Sequence, residues 1–420
     1  MFRFLHSADI HLDSPLKGLE AYRDAPVEQI RGAVRRAFDR LIDLALEEEV
    51  AFLLLAGDLF DGDWKDYNTG IYLMNRMGRL KEAGIRVFIV SGNHDAASQI
   101  TRALRFPDNV VLFSHRKAET KILDDLGVAV HGRSFPSRAV SEDLTRDYPQ
   151  GAQGLFNIGL LHTSLTGRPG HAPYAPCTPA ALESKGYQYW ALGHVHQREE
   201  VSREPWIVFP GNIQGRHIRE TGPKGCTLVT VEEGRVLRVE HRDLDVLRWA
   251  VCRVDLSGCE TGDEALDLVR QAFENESGKA EGRPIAVRLV LEGITPLHGN
   301  LHERSVHRVE EFRAIAAGLM EVWLEKVVFA TRKKIDPHVS GLKGSPLYAL
   351  ERAVDALQQE SPRLLDLIPE FESLRSKLPP ELLSEEDPFH PGEEERALLC
   401  EDVKEILMGK ALRHEGHHED

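Results

Sequence analysis

The chain has 420 residues, 42% of them hydrophobic and 28% charged, with a formal charge of −15. That balance excludes a protein that coats nucleic acid through bulk electrostatics, and the length calls for two or three domains rather than one core. No apolar run is long enough to span a bilayer, the opening Met-Phe-Arg-Phe-Leu-His lacks a signal-peptide layout, and the scattered cysteines (Cys177, Cys226, Cys252, Cys259, Cys400) read as reduced thiols, so the expectation is a cytoplasmic protein with no membrane segment.

In chain order, Phe2 to Ala8 reads as a buried strand that ends at Asp9 and His11. Val27, Ile30, Val34, Phe38, Leu41 and Leu44 recur at helical spacing and predict an amphipathic helix from Pro26 to Glu49. A second buried strand, Ala51 to Ala56, ends at Gly57-Asp58. A helix over Asp66 to Ala83 follows, then the strand Arg86 to Val90, which ends at Gly92-Asn93-His94-Asp95. This rhythm predicts a helix-covered sheet with functional residues in the loops at the strand C-termini. Strands are then expected over Val110–Phe113, Val128–Gly132, Asn157–Leu161, Tyr189–Leu192, Trp206–Phe209 and Gly225–Val231, enough for a second sheet packed on the first. His162 and the pair His194/His196 again sit just past apolar runs.

Near Asp243 to Arg248 the histidine motifs stop. A compact unit follows, with strand Ala250–Asp255, helix Gly262–Glu276, strand Ile285–Leu291, helix Glu303–Ala317 and strand Val322–Thr331. From Lys334 the chain is charged and helical in pattern, broken by prolines, and ends in a His-rich tail. The expected fold class is α/β, a two-sheet sandwich flanked by helices. Its domains are a catalytic one over 1–245, a small α+β capping domain over 246–333 and a helical C-terminal region over 334–420.

The motifs supply carboxylates, an amide oxygen and several imidazoles, more ligands than a mononuclear site needs. They fit two adjacent metals sharing a bridging ligand, an arrangement suited to in-line attack on phosphate esters. In extended geometry Asp9 and His11 would point the same way, and so would His194 and His196. Asp58, after a glycine, is placed to bridge, and Asn93 offers a neutral oxygen. Donors of oxygen and nitrogen without thiolate suit manganese, iron or zinc.

The stretches His6-Ser7-Ala8-Asp9-Ile10-His11-Leu12-Asp13-Ser14-Pro15, Gly57-Asp58-Leu59-Phe60-Asp61 and Phe209-Pro210-Gly211-Asn212 extend these motifs. With them, the sequence resembles the calcineurin-like metallophosphoesterases, and among them the SbcD/YhaO-type DNA repair exonuclease branch. The likeness covers residues 1 to 245 through all the motifs and runs more loosely over the small second domain. By position it implies that Asp9, His11 and His196 hold one metal, that Asn93, His162 and His194 hold the other, and that Asp58 bridges. It implies that His94 stands beside the scissile phosphate as proton donor, with Asp61 orienting it, and it tips the metal toward manganese. Its implied partners are DNA ends, an SbcC/YhaN-like ATPase with coiled-coil arms, and a second copy of the chain. This chain has no G-x-x-x-x-G-K-[ST] of its own.

Bland readings win elsewhere. His6 reads as a packing residue, Asp95 as a turn or helix cap, and His171, His217, His298, His302 and His307 as surface. Asp13 is either a supporting contact or a loop carboxylate, and Asn212 and Gln214 either line a groove or make a strand-end turn. Arg133, Arg138, Arg216, Arg219 and Lys224 read equally as solvated loop or as phosphate-facing, and Arg332-Lys333-Lys334 as a domain edge. The function expected is a two-metal DNA exonuclease. The alternative is a phosphodiesterase or phosphatase acting on a small molecule or nucleotide, and a scaffold with a decayed site is disfavoured by the complete ligand set.

Overall fold

The computed structural model describes residues 1–14, 32–61, 67–97, 105–167, 173–319 and 321–333, with positions 349, 352, 353 and 356. The first turn of the helix expected from Pro26, His171, Lys334, the expected C-terminal helices, Cys400 and the tail lie outside the described residues. The described chain forms two compact units. One comprises Met1–Cys252, Val269–Leu289 and Glu311–Val327; the other comprises Arg253–Leu268, Val290–Glu310 and described residues from Val328 on.

The chain begins β1 (Phe2–Ser7), α1 (Ala33–Glu47), β2 (Phe52–Ala56), α2 (Tyr67–Glu82), β3 (Arg86–Val90) and the single-turn α3 (Asn93–Ala97). It continues through β4 (Val110–Leu112), β5 (Glu119–Leu123), β6 (Val128–Gly132), β7 (Phe156–His162), α4 (Pro179–Glu183), β8 (Tyr189–Gly193), β9 (Glu199–Arg203), β10 (Trp206–Phe209), β11 (Gly225–Glu232) and β12 (Arg235–Asp243). One six-stranded sheet runs β12-β11-β1-β2-β3-β4 and a second runs β5-β6-β7-β8-β10-β9. The strands β1 to β4 are mutually parallel, as are β6, β7, β8 and β10. Parallel pairing sends the C-terminal ends of β1, β2 and β3 to one edge, and those of β7 and β8 likewise, so the motif loops open where ligand sites form in such sheets.

Side-chain alternation sorts the core into layers. Phe4, Phe52, Leu54, Phe88 and Val90 face Val130, Ile158, Leu160, Tyr189 and Ala191 of the second sheet, whereas Leu5, Leu53, Leu55, Val87 and Ile89 face Phe38, Leu41, Leu73 and Met77 of the helices. Phe4 stacks on Phe52 at 5.0 Å and meets Tyr189 edge-on at 5.2 Å. Each fully buried ring contributes about 1.5–3 kcal/mol, so this aromatic layer, rather than any polar link, carries the cohesion of the two sheets.

Strands that the pattern did not predict are β5, β9 and β12, all at sheet edges. Half-exposed edge strands carry polar residues on the open side, which hides the alternation. Beyond these lie β13 (Arg248–Asp255), α5 (Gly262–Lys279), β14 (Ile285–Ile294), α6 (His298–Glu303), α7 (Ser305–Gly318) and β15 (Val322–Arg332), with the strands in the order β13-β14-β15. The start of α5 is a capping box in which Glu264 N donates to Thr261 Oγ1 and Thr261 N donates back to Glu264 Oε2. The helix expected over Glu303–Ala317 is α7, and the short α6, which the pattern did not predict, precedes it, with Arg304 at φ −110° and ψ 25° between the two.

His6 joins the sheets as a fully buried polar link, with Tyr189 OH on Nδ1 at 3.0 Å and Leu192 O on Nε2 at 3.1 Å. The carbonyl can only accept, so Nε2 carries the proton and Nδ1 accepts from the phenol. This satisfied neutral ring is a packing residue, as expected, and burial pulls its pKa down to about 3 against the pull of Leu192 O. Unfolded, the ring takes a proton near pH 6.5. Its stabilising contribution is therefore complete above pH 6.5 and shrinks as the pH falls toward 3. In denaturant titrations between pH 7.5 and 4.5, His6→Gln should lose stability less steeply than the parent, by up to about 1.4 kcal/mol per pH unit; parallel slopes would rule this out.

Candidate metal centre

The loops that carry the motifs are held in uncommon backbone conformations. Asp9 (φ 51°), His11 (φ 48°), Asp58 (φ 50°) and His194 (φ 109°) all have positive φ, which costs a non-glycine residue about 1–3 kcal/mol. The surroundings over-determine them. Asp9 N donates to Gly57 O at 3.0 Å, His11 N to Asp58 O at 3.0 Å and Leu12 N to Leu59 O at 2.9 Å, clamping the loop after β1 onto the loop after β2. Asp95 clamps the third loop, since its carboxylate accepts from Gly92 N (3.1 Å), Leu59 N (3.2 Å) and Phe60 N (3.0 Å). The helix-cap role expected for it holds, with two extra bonds across to the neighbouring loop.

Left-handed turns, and not the expected extended geometry, therefore aim Asp9 and His11. The second i,i+2 pair is divided in the same way. The His196 ring lies 5.1 Å from that of His11, while the His194 ring lies 5.2 Å from that of His162.

Among the described residues, most of the expected ligands come together in overlapping groups, which His94, not expected as a ligand, also joins and His194 does not. Ligand atoms of Asp9, His11 and His196 lie within 4.8 Å of one another, as do those of Asp9, Asp58 and His162 and those of His11, Asp58 and His94. Asn93 Oδ1 is 3.0 Å from His162 Nε2. Proton positions follow from the partners. His162 Nδ1 is 2.9 Å from Ala56 O, so it must donate, leaving Nε2 a lone pair. That lone pair faces Asn93 Oδ1 and, at 3.6 Å, Asp58 Oδ2. His11 and His196 likewise turn Nδ1 toward carboxylates (Asp61 at 3.5 Å, Glu220 at 2.7 Å), and their Nε2 atoms face each other at 3.3 Å. Acceptors that converge on acceptors need positive charge between them, so the donor set fits divalent cations.

Charge points the same way. Burial, reinforced by Asp58, raises the Asp9 carboxyl well above its usual range, and burial pushes Asp58 up to about 6 against the pull of His94. Two buried carboxylates side by side are costly until a cation offsets them. Asp61 sits differently. Burial pushes its pKa up, but bonds from His11 and His94 outweigh burial and hold it well below the usual range. Its Oδ1 lies 3.2 Å from His94 Nδ1, and although burial pulls the imidazole down, Asp61 and Asp58 raise it above its ordinary value. The expected Asp61–His94 pair is thus formed.

Around this centre the structure decides the readings left open. Asp13 clamps the helices, accepting from Arg35 Nε and Nη2, each at 2.6 Å, and from the Thr69 hydroxyl. Asn212 and Gln214 are buried in the loop after β10. Arg133, Arg216 and Lys224 are largely buried, so the solvated-loop reading fails for them, while Arg138 and Arg219 are exposed. Lys224 Nζ donates to His196 O at 3.0 Å, and Arg216 reaches Asp61 Oδ1 at 3.8 Å and Ser14 Oγ at 3.4 Å. Sequence reasoning missed Glu220 altogether. It belongs to no spaced motif, and only the general need of a ligating histidine for a carboxylate on its far nitrogen would have prompted a search.

Gly57 makes the close approach possible. It has φ 95°, and a Cβ there would lie 2.4 Å from His162 Nδ1. Gly57→Ala should therefore displace the His162 ring, lower the melting temperature and reduce bound metal by elemental analysis. A folded variant with undiminished metal content would contradict this account.

Residues 2–198 match the calcineurin-like phosphoesterase family, and residues 249–332 match the middle domain of metallophosphoesterase YhaO. The uncharacterized metallophosphoesterase YhaO of Bacillus subtilis is 37% identical over 297 residues, covering 70% of this chain and 72% of that protein. The DNA double-strand break repair protein Mre11 of Sulfurisphaera tokodaii is 25% identical over 69% of this chain and 73% of its own length. The corresponding protein of Methanopyrus kandleri is 27% identical over 64% and 62%. With the two-sheet fold and the converging ligands, these matches make the chain a member of the calcineurin-like metallophosphoesterases, homologous to YhaO and to the Mre11 double-strand break repair proteins.

Proposed function

We propose that the chain is a two-metal-dependent DNA exonuclease working in DNA repair. Asp9, His11 and His196 would hold the first divalent cation, Asn93, His162 and His194 the second, and Asp58 would bridge. Carboxylate, amide and imidazole donors with no thiolate suit manganese, iron or zinc, and the family resemblance makes manganese the metal we favour. Bound together, such cations supply an activated water at neutral pH and screen the charge on the phosphoryl oxygens.

The remaining steps belong to the chain. His94 also falls within reach of His11 and Asp58. Its Nδ1, however, is taken by Asp61 and its side chain is 34% exposed, which suits an Nε2 that meets substrate. Held protonated by Asp61, it would donate to the departing sugar oxygen. Asp61 in turn is steadied by Ser14 Oγ, which donates to Oδ2 at 2.8 Å.

The observation that carries the DNA substrate is the homology to the Mre11 repair proteins, over 310 residues and so beyond the calcineurin-like match. The match at 249–332 supports a small capping domain over 246–333 that would give a polymer a second surface to bind. The resemblance read from the sequence makes an SbcC/YhaN-like ATPase and a second copy of the chain the partners to seek. Four cysteines, Cys177, Cys226, Cys252 and Cys259, are free, and no described helix is long and apolar enough to cross a membrane, in keeping with action in the cytoplasm. The charge of −15 favours the second reading, a phosphodiesterase or phosphatase for a small or nucleotide substrate.

End-labelled single- and double-stranded DNA should be shortened with manganese and left intact with chelator. Turnover of small phosphoesters, with DNA untouched across a range of salt, would transfer the assignment to the second reading. His94→Ala should lose about 100-fold or more in turnover, the scale of a positioned general acid, while keeping its metal. The acid form of His94 is the active one, so activity falls as pH rises through its pKa. Asp61→Asn removes the main upward influence and should move that fall to lower pH; an unmoved profile would dismiss the pairing.

A further inference from the structure

Glu220 is buried at 5% exposure in the loop between β10 and β11, and its carboxylate gathers the groups around it. Oε2 accepts from Arg216 N at 2.7 Å and Asn212 Nδ2 at 2.9 Å. Oε1 accepts from Arg216 Nη2 at 3.2 Å, faces His217 Nε2 at 3.6 Å and lies 2.7 Å from His196 Nδ1. Among the described residues it joins none of the candidate metal groups.

We propose that Glu220 is a positioning residue for metal binding, pinning the His196 proton on Nδ1 so that the Nε2 lone pair is presented to Asp9 and His11. The proposal rests on the reading of His196 as a ligand of the first cation. Two neighbours compete for Nδ1. Arg216 Nη2, 3.4 Å away, is a permanent donor and can bond Nδ1 only when that nitrogen is bare. The proton would then sit on Nε2, which faces His11 Nε2 at 3.3 Å and Asp9 Oδ1 at 4.0 Å, and the ring could not ligate there. Either bond would be charge-assisted, but Glu220 only accepts and, at 2.7 Å, it is much the nearer. It also engages Arg216 Nη2 itself, drawing that hydrogen away from the imidazole. The outcome is a carboxylate–imidazole–cation chain, in which the far partner commonly governs affinity.

The isosteric variant gives a test that a merely structural role would fail. In Glu220→Gln the two donors on the Oε2 side, Arg216 N and Asn212 Nδ2, claim the amide oxygen. The NH2 then falls at the Oε1 position, where it faces Nδ1 as a second donor and drives the proton onto Nε2. Calorimetric titration of the metal-free full-length chain with Mn2+ should show one site weakened by about 10–100-fold in Glu220→Gln, with the other site and the melting temperature unchanged. Glu220→Ala, which leaves the ring free to choose its tautomer, should weaken the same site less. The proposal is overturned if Glu220→Gln binds like the parent, if both sites weaken together, or if Ala is the more damaging substitution. His196→Ala separates the two readings. If it loses one site while Glu220→Gln does not, Glu220 alone was misread; if it keeps both sites, His196 is no ligand and both readings fall.

Discussion

Two carboxylates, Asp9 and Asp58, are buried side by side at the meeting point of three strand ends, and much of the surrounding structure keeps them there. Neither belongs in a dry interior by itself, because burial raises the cost of ionising both and Asp58 adds to it at Asp9. They stay because the loops that carry them are bonded to each other through the backbone, Asp9 N on Gly57 O and His11 N on Asp58 O, with the ends of β1 and β2 set by parallel register. His194 N adds a third tie by donating to both Asp9 oxygens, at 2.9 and 3.1 Å, and so brings in the second sheet. The scaffold concentrates negative charge at a spot that a cation can relieve.

Stability and function are separated in space by this design. Cohesion resides in the aromatic layer of Phe4, Phe52, Phe88 and Tyr189, several residues below the loops, and in the helix-facing layer of Leu5, Leu53, Leu55 and Val87. That reserve lets the loops hold four non-glycine residues at positive φ. It also explains why a protein with a charge of −15 can belong to a phosphoesterase family. The sign of the whole surface matters less than the local set of donors awaiting positive charge, with Arg216 already beside them.

The centre is layered outward as well as inward. His162 is set by Ala56 O and His196 by Glu220, each through a hydrogen bond on the far nitrogen, while His11 turns its far nitrogen toward Asp61 at 3.5 Å. Asp61 serves two of the histidines, His11 and His94, and thereby links a metal-facing ring to a ring on the open side. Such shared carboxylates make the site a network, and changes in its parts are not expected to add.

The strands that carry motifs were legible in the chain because buried parallel strands are continuous apolar runs, and each ends at a polar group that a core would not tolerate. Arg86–Val90, Val128–Gly132 and Trp206–Phe209 begin and end where the pattern placed them. The edge strands β5, β9 and β12 were not, since one side of each meets solvent and the alternation fades. The ligand-type residues could likewise be chosen from sequence, because few side chains combine oxygen and nitrogen donors at successive strand ends. What only the tertiary structure decided was how they are aimed: Asp9 and His11 by left-handed turns, His194 and His196 toward different neighbours, and His196 fixed by Glu220 from a loop with no motif. Aim depends on φ values and on partners far away in the chain, and local spacing carries no record of either.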